Sequence, residues 1–160
     1  ISMKTAGISD IKKQLSELSR EELMALCLKL ARYKKDNKEF LTYLLYEAED
    51  EESFIRSVKL MVEEEFETVN KSHLYFAKKT IRKILRMLKK YIKYSGKKET
   101  EVELLIFFCH QIKESGLKIK ESKVLLNMYE QQIKLIYKSL DSMHEDLQYD
   151  YGVKVAPLEL

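Results

Sequence analysis

Apolar residues return at steps of three and four along almost the whole chain, and the pattern is broken only at a few recognisable stops. That is the period of a helix with one buried face. Start and stop signals divide the chain into about seven helices. The first lies near Ile8 to Leu18. Ser19 caps a second, with Glu22 at capping-box spacing, and Leu23, Leu26, Leu30 and Tyr33 form its stripe up to Lys34-Lys35. A third restarts at Asp36 with Glu39 and runs through Phe40, Tyr43, Leu44 and Ala48. Asp50 opens a fourth, whose Ile55, Val58, Val62, Phe66 and Val69 should face inward. A fifth follows Ser72 and ends at Gly96, a natural left-handed cap. Thr100 and Glu103 have capping-box spacing for a sixth, which ends at Gly116. The seventh spans Lys120 to Tyr151 and stops at Gly152.

Two of these helices carry a regular seam. Leu74, Ala77, Ile81, Ile84, Leu88 and Tyr91 mark the fifth; Leu126, Tyr129, Ile133, Ile136, Leu140, Met143 and Leu147 mark the seventh. Such seams suit helices crossing at shallow angles. The sixth is apolar nearly all round, from Val102 through Leu104-Leu105-Ile106-Phe107-Phe108-Cys109 to Ile112, so it should be the central one. The expectation is an all-α fold, either an antiparallel helical bundle or a short αα-superhelix. With no Ser/Gly/Pro linker, residues 1–160 read as a single domain: an N-terminal helical cap over 1–48, a main bundle over 50–151 and a tail over 152–160. In the tail, Val153 and Val155 alternate like a strand, as an arm on the bundle or on a partner, or as a frayed end.

Composition sharpens this picture. Four Gly and one Pro are too few for the tight turns of an all-β or α/β fold, and a 45% hydrophobic, 34% charged balance is globular. Cys27 and Cys109 sit in apolar helical runs without a CxxC partner and read as small buried hydrophobes in a reducing compartment. No apolar run approaches the ~20 residues of a membrane span. The start Ile1-Ser2-Met3-Lys4 lacks a signal-peptide succession, with Met3 a candidate start after two residues of an upstream segment; the expectation is a soluble cytoplasmic protein.

Chemistry is scarce. The histidines are His73, His110 and His144. A di-metal bundle centre needs two Glu-x-x-His pairs and further inward glutamates, whereas only Asp141-x-x-His144 comes near. Cys109 and His110 diverge by about 100° on a helix and cannot pair with each other. His110 reads as a histidine at the edge of the core. Glu49-Asp-Glu-Glu52 reads as a helix start and Glu63-Glu-Glu65 as a solvated face. No catalytic constellation, metal site or cofactor motif is visible.

Charge is the informative feature. The formal net value is only +3, but it is segregated. Residues 47–67 carry nine acids against Arg56 and Lys59; residues 70–98 carry eleven Lys or Arg and no acid. Lys79, Arg82, Lys83, Arg86, Lys90 and Lys93 fall in a sector of about 100°, opposite the apolar seam. This stripe, about 21 Å long, is read in three ways: neutralised by the acidic helix or solvated, bound to an acidic protein partner, or tracking nucleic-acid phosphates with Tyr75 and Tyr94 nearby. A membrane-surface role is disfavoured, because the apolar face is needed for the core. A helical hairpin would set Glu63, Glu64, Glu65 or Glu67 near Lys78, Lys79 or Arg82, leaving Arg86, Lys90 and Lys93 open.

Five segments together carry a resemblance: Leu15…Leu18…Glu21-Glu22-Leu23, Asn37-Lys38-Glu39-Phe40-Leu41, Glu63-Glu64-Glu65-Phe66, Ala77-Lys78-Lys79-Thr80-Ile81 and Leu104-Leu105-Ile106-Phe107-Phe108. Over residues 10–112 the chain resembles an uncharacterised bacterial family of small all-helical proteins, a domain of unknown function. The resemblance implies an intracellular helical protein and carries no functional residue. Ser9–Leu30 is also faintly similar to SAP-type helix-turn-helix modules, without their glycine-bearing turn. The functional expectation is a non-enzymatic helical protein-interaction module using the basic stripe; the alternative is a nucleic-acid-binding protein using the same residues.

Overall fold

Side-chain caps open four of the eight α-helices in a computed structural model of the protein, which describes residues 2–160. The helices are α1 (Ile8–Ser16), α2 (Arg20–Tyr33), α3 (Lys35–Thr42), α4 (Glu51–Glu67), α5 (Leu74–Ser95), α6 (Lys98–Glu114), α7 (Lys123–Leu140) and α8 (Glu145–Val155). A π-helical turn over Tyr43–Glu47 follows α3, and 3-10 turns cover Ile119–Glu121 and Ala156–Leu158. The fold is all-α. Ser19 caps α2 by accepting from the Glu22 amide at 3.1 Å, and Asp50 caps α4 by accepting from Ser53 at 3.1 Å. Gly96 ends α5 at φ 67°, where a Cβ would be strained.

The chain divides into two compact units, Ile1–Tyr46 and Glu47–Leu160. In the first, α2 packs on α3, and the Asn37 side chain donates to the Leu30 carbonyl at 2.8 Å. None of α1, α2 and α3 contains a buried residue. Leu23 and Ala31 are half-buried, while Leu26, Leu30 and Tyr33, expected to share a buried stripe, are exposed. Cys27 corrects its expected place: it is an exposed thiol, since α2 has too little partner surface to cover its broad apolar arc.

The second unit is a bundle around α6, which touches α4, α5, α7, α8 and the last 3-10 turn. Paired contacts give the directions. Phe54 meets Tyr91 (6.2 Å between ring centroids) and Glu65 meets Lys83, so α4 and α5 run antiparallel; Glu101 accepts from Ser139, so α6 and α7 do as well. Val58, Val62, Ile81, Ile84, Leu88, Val102, Leu104, Phe108 and Ile136 are fully buried. Each contributes about 1.5–3 kcal/mol by leaving water.

Several expected details differ. The Thr100–Glu103 capping box does not form. Helix α6 begins three residues earlier, with Lys97 at its N-cap, and the buried Thr100 hydroxyl donates to the Glu51 carboxylate at 2.8 Å. The seventh helix is two helices. It breaks at Asp141–His144, where the Ser142 hydroxyl donates to the Ser139 carbonyl at 2.8 Å and His144 Nδ1 caps α8 by accepting from Asp146 at 3.2 Å. The buried face of α7 is Leu125, Tyr129, Gln132, Ile136, Ser139 and Leu140, turned from the expected seam so that Leu126 and Ile133 are half-buried. Gly152 lies inside α8 and stops nothing. The tail is neither strand nor frayed. Val155 and Leu158 are buried, Tyr129 Oη donates to the Leu158 carbonyl at 2.5 Å, and Lys113 donates to the Pro157 carbonyl.

Candidate functional site: the basic face of α5

Eleven cations without an acid in residues 70–98 place a strong positive charge on α5, and its buried face decides where that charge goes. Ala77, Ile81, Ile84, Leu85, Leu88 and Ile92 turn into the bundle, so the predicted stripe turns outward. Lys79, Arg82, Lys83, Arg86 and Lys93 are exposed. Lys90 differs: it is half-buried, with its ammonium 5.4 Å from the Tyr91 ring, so the expectation of an open Lys90 is corrected.

The two edges of the stripe have different surroundings. On the α4 side, Lys83 pairs with Glu65 at 3.2 Å. Both groups are solvated, so the pair contributes ~0–1 kcal/mol. Glu63, Glu64 and Glu67 form no ion pair with Lys78, Lys79 or Arg82 among the described residues. The Lys79 ammonium instead sits 4.8 Å from the Tyr75 ring, with Lys78 at 5.4 Å from the same ring. Tyr94 packs on Tyr91 at 5.9 Å and is half-buried.

On the other edge the cations line two adjoining grooves. One, of about 490 Å³, is formed by Lys79, Arg82, Leu85, Arg86 and Lys89. The next, of about 420 Å³, shares Lys89 and continues past Lys93, Lys97 and Lys98 over Ile92, Leu105 and Leu135. Among the described residues Arg82, Arg86, Lys89 and Lys93 are not ion-paired. The one acid in the grooves is Glu101, which accepts from Ser139. Lys89 was missed from sequence because it projects about 20° outside the chosen sector; the i,i+3 step from Arg86 was the available signal. Lys97 and Lys98 lie beyond the α5 cap and join the groove only through the turn at Gly96.

A second concavity, a cleft of about 650 Å³, lies between the starts of α4 and α6 and the α7–α8 break. Glu51, Glu52, Glu99 and Glu103 converge there with Lys97, Lys98, Ser142 and Tyr151. Glu51 is largely committed to structure: it accepts from Ser95 at 2.6 Å and Thr100 at 2.8 Å, and pairs with Lys97 at 3.4 Å. Burial first, then Glu103, Glu99 and Asp150, raise the Tyr151 phenol above its usual range and keep it protonated at neutral pH. No signal in the linear sequence joins these residues. His110 is exposed, 3.9 Å from Glu114, outside both grooves and the cleft. Among the described residues no group of three or more His, Cys, Asp or Glu is placed to hold a metal ion, and no helix is long and apolar enough to cross a membrane.

Comparison with known protein families, with curated proteins and with solved structures finds no match for this chain.

Proposed function

We propose that this chain is a non-enzymatic, cytoplasmic interaction protein that holds an acidic, amphipathic protein segment along α5. One observation carries the reading: unpaired Arg82, Arg86, Lys89 and Lys93 line two adjoining grooves whose apolar residues are Leu85 in one and Ile92, Leu105 and Leu135 in the other. A row of like charges four residues apart destabilises a helix by a few tenths of a kcal/mol per pair. An acidic ligand relieves that repulsion and gains charge-assisted hydrogen bonds from the arginine forks. The apolar floor favours a helix with acids on its flanks and Leu-type side chains at i and i+4. Free Cys27 and buried free Cys109 fit a reducing compartment.

Nucleic acid is the other polyanion the face could take. Against it, the Tyr75 ring is already engaged by Lys78 and Lys79, which leaves less of it for stacking on a base. A fluorescent acidic amphipathic helix peptide and single- and double-stranded oligonucleotides, titrated side by side against wild type and an Arg82→Glu/Arg86→Glu/Lys93→Glu variant, test the reading. Peptide affinity should fall at least tenfold in the variant, by about 1.4 kcal/mol or more. Equal peptide binding by both proteins removes the groove from consideration. Oligonucleotide binding alone, with affinity falling steeply with salt, transfers the face to nucleic acid.

A further inference from the structure

The two grooves on α5 differ in what they offer an anion. The first is formed by Lys79, Arg82, Leu85, Arg86 and Lys89, four cations around one leucine. In the second, lysines alone supply the positive charge, Glu101 stands among them, and Ile92, Leu105 and Leu135 add apolar surface. Only five of the chain's 29 basic residues are arginines, and two of them stand in the first groove one helical turn apart. Residues at that spacing have Cβ atoms about 5–6 Å apart, close enough for both guanidinium forks to reach one group. Arg82 and Arg86 are exposed, and no carboxylate pairs with them, with Lys79 or with Lys89 among the described residues. Helix α4 neutralises the opposite edge, where Glu65 takes Lys83.

Charge density decides what such a site holds best. A carboxylate brings a single negative charge. Matching four cations with carboxylates takes several in a row on the ligand, where they repel one another and spread along its length. A nucleic-acid phosphodiester again offers one charge per group. A phosphate monoester on a serine, threonine or tyrosine carries about −1.5 to −2 charge at pH 7 and three strong acceptor oxygens at one point. Guanidinium forks bind it bidentately, a geometry that an ammonium lacks. Spacing adds a constraint. Leu85 in the first groove and Ile92 in the second are separated along α5 by about 10 Å at 1.5 Å per residue. A helical ligand lying along α5 therefore carries its phosphate about two turns from the apolar side chains that enter the second groove.

We infer that the groove around Arg82 and Arg86 is a phosphate-monoester site, so that the segment held along α5 is a phosphorylated one and its phosphorylation sets when it binds. The inference rests on the reading of α5 as the face for an acidic amphipathic segment, and it names the modification that this segment carries. The two arginines grip the phosphate. Lys79, held 4.8 Å from the Tyr75 ring, flanks it on one side, and Lys89, which lines both grooves, continues the positive wall towards the apolar part.

Three fluorescent peptides test the inference. All share an acidic amphipathic helix sequence with leucines at i and i+4, and they differ at one serine about two turns away, which is free, phosphorylated or replaced by Glu; each is made with the serine before and after the leucines. They are titrated against wild type and an Arg82→Lys/Arg86→Lys variant, which keeps the charge and removes the forks. Wild type should bind the phosphopeptide at least tenfold tighter than either of the others. In the variant that margin should shrink at least fivefold, while affinity for the unphosphorylated peptide changes less than twofold. Both substituted side chains are exposed, so the melting temperature should match that of wild type. Equal binding of the serine and phosphoserine peptides overturns the inference and leaves the acidic-segment reading standing. A Glu peptide as tight as the phosphopeptide also overturns it, because a carboxylate then suffices, and so does a margin that survives the lysine substitutions. Binding of the phosphopeptide alone supports the inference and ends the reading in which acidity and leucines suffice. Binding of none of the three ends both.

Discussion

Cys109, Tyr129 and Tyr137 show how packing turns ordinary side chains into groups that resist ionisation. Burial pushes the Cys109 thiol from 9.0 to about 12. Burial also raises the Tyr129 phenol, with a smaller contribution from Cys109. Tyr137 rises from 10.0 to about 12, chiefly because its hydroxyl donates to the Glu159 carboxylate. All three are acids held neutral by the fold. The unfolded chain therefore loses these protons first as pH rises, and stability falls above the unfolded values. Their stabilising contribution should be complete below about pH 9 and decline from there towards pH 12. Urea midpoints measured at pH 8, 10 and 11 should drop in sequence. Tyr137→Phe should flatten the part of that slope lying above pH 10. A midpoint independent of pH over this interval contradicts the assignment.

At the scale of the element, two glycines that look alike in sequence have opposite roles. Gly96 sits at φ 67° as the cap of α5, so alanine there is strained even though the space around it is open. Gly152 is inside α8, outside the left-handed region and with nothing within 4 Å of an added Cβ. Gly96→Ala should lower the melting temperature, at a cost of about 1 kcal/mol or more. Gly152→Ala should raise it, by about 0.5–1 kcal/mol of helix propensity. Helix α6 gives a larger effect. Leu105 and Phe108 are essentially unexposed at the centre of the bundle, so truncating either to alanine should cost about 2–5 kcal/mol in chemical denaturation. Equal midpoints for wild type and both variants would place α6 outside the core.

At the scale of the molecule, the two units should not be equally stable. The Glu47–Leu160 bundle has a continuous core, whereas α1 to α3 have none. Local opening is easiest where few apolar contacts are lost. In dilute solution, amide exchange should therefore be fast throughout α1–α3 and slowest in α6 and the facing turns of α5 and α7. Uniform protection across the chain at low concentration rules out this ranking.

Periodicity, capping residues and glycine scarcity were sufficient to read an all-α chain, the central place of α6, the outward turn of most of the basic stripe and the main inward residues of α4 and α5, although Phe54, Leu85 and Ile92 are buried where Ile55, Leu74 and Tyr91 are only half-buried. These are local properties: a 3.6-residue period and a cap depend on residues a few positions apart. What the linear pattern could not contain was which of several apolar arcs finds a partner. Leu26, Leu30 and Tyr33 have the same spacing as the α5 seam, yet they are exposed. The α7 seam is turned towards Gln132 and Ser139, where the Ser139 hydroxyl donates to Glu101 of α6 and the Gln132 amide donates to the Met128 carbonyl of its own helix. Gly152 and the tail were taken into helix and core because Tyr129, Lys113 and Tyr137 hold Leu158, Pro157 and Glu159. Lys89, Lys97 and Lys98 became groove walls only when α6 and α7 brought Leu105 and Leu135 beside them. A residue's neighbours along a helix follow from its sequence; its neighbours across helices depend on how the whole chain shares its buried surface, and the grooves of this protein are built from the latter.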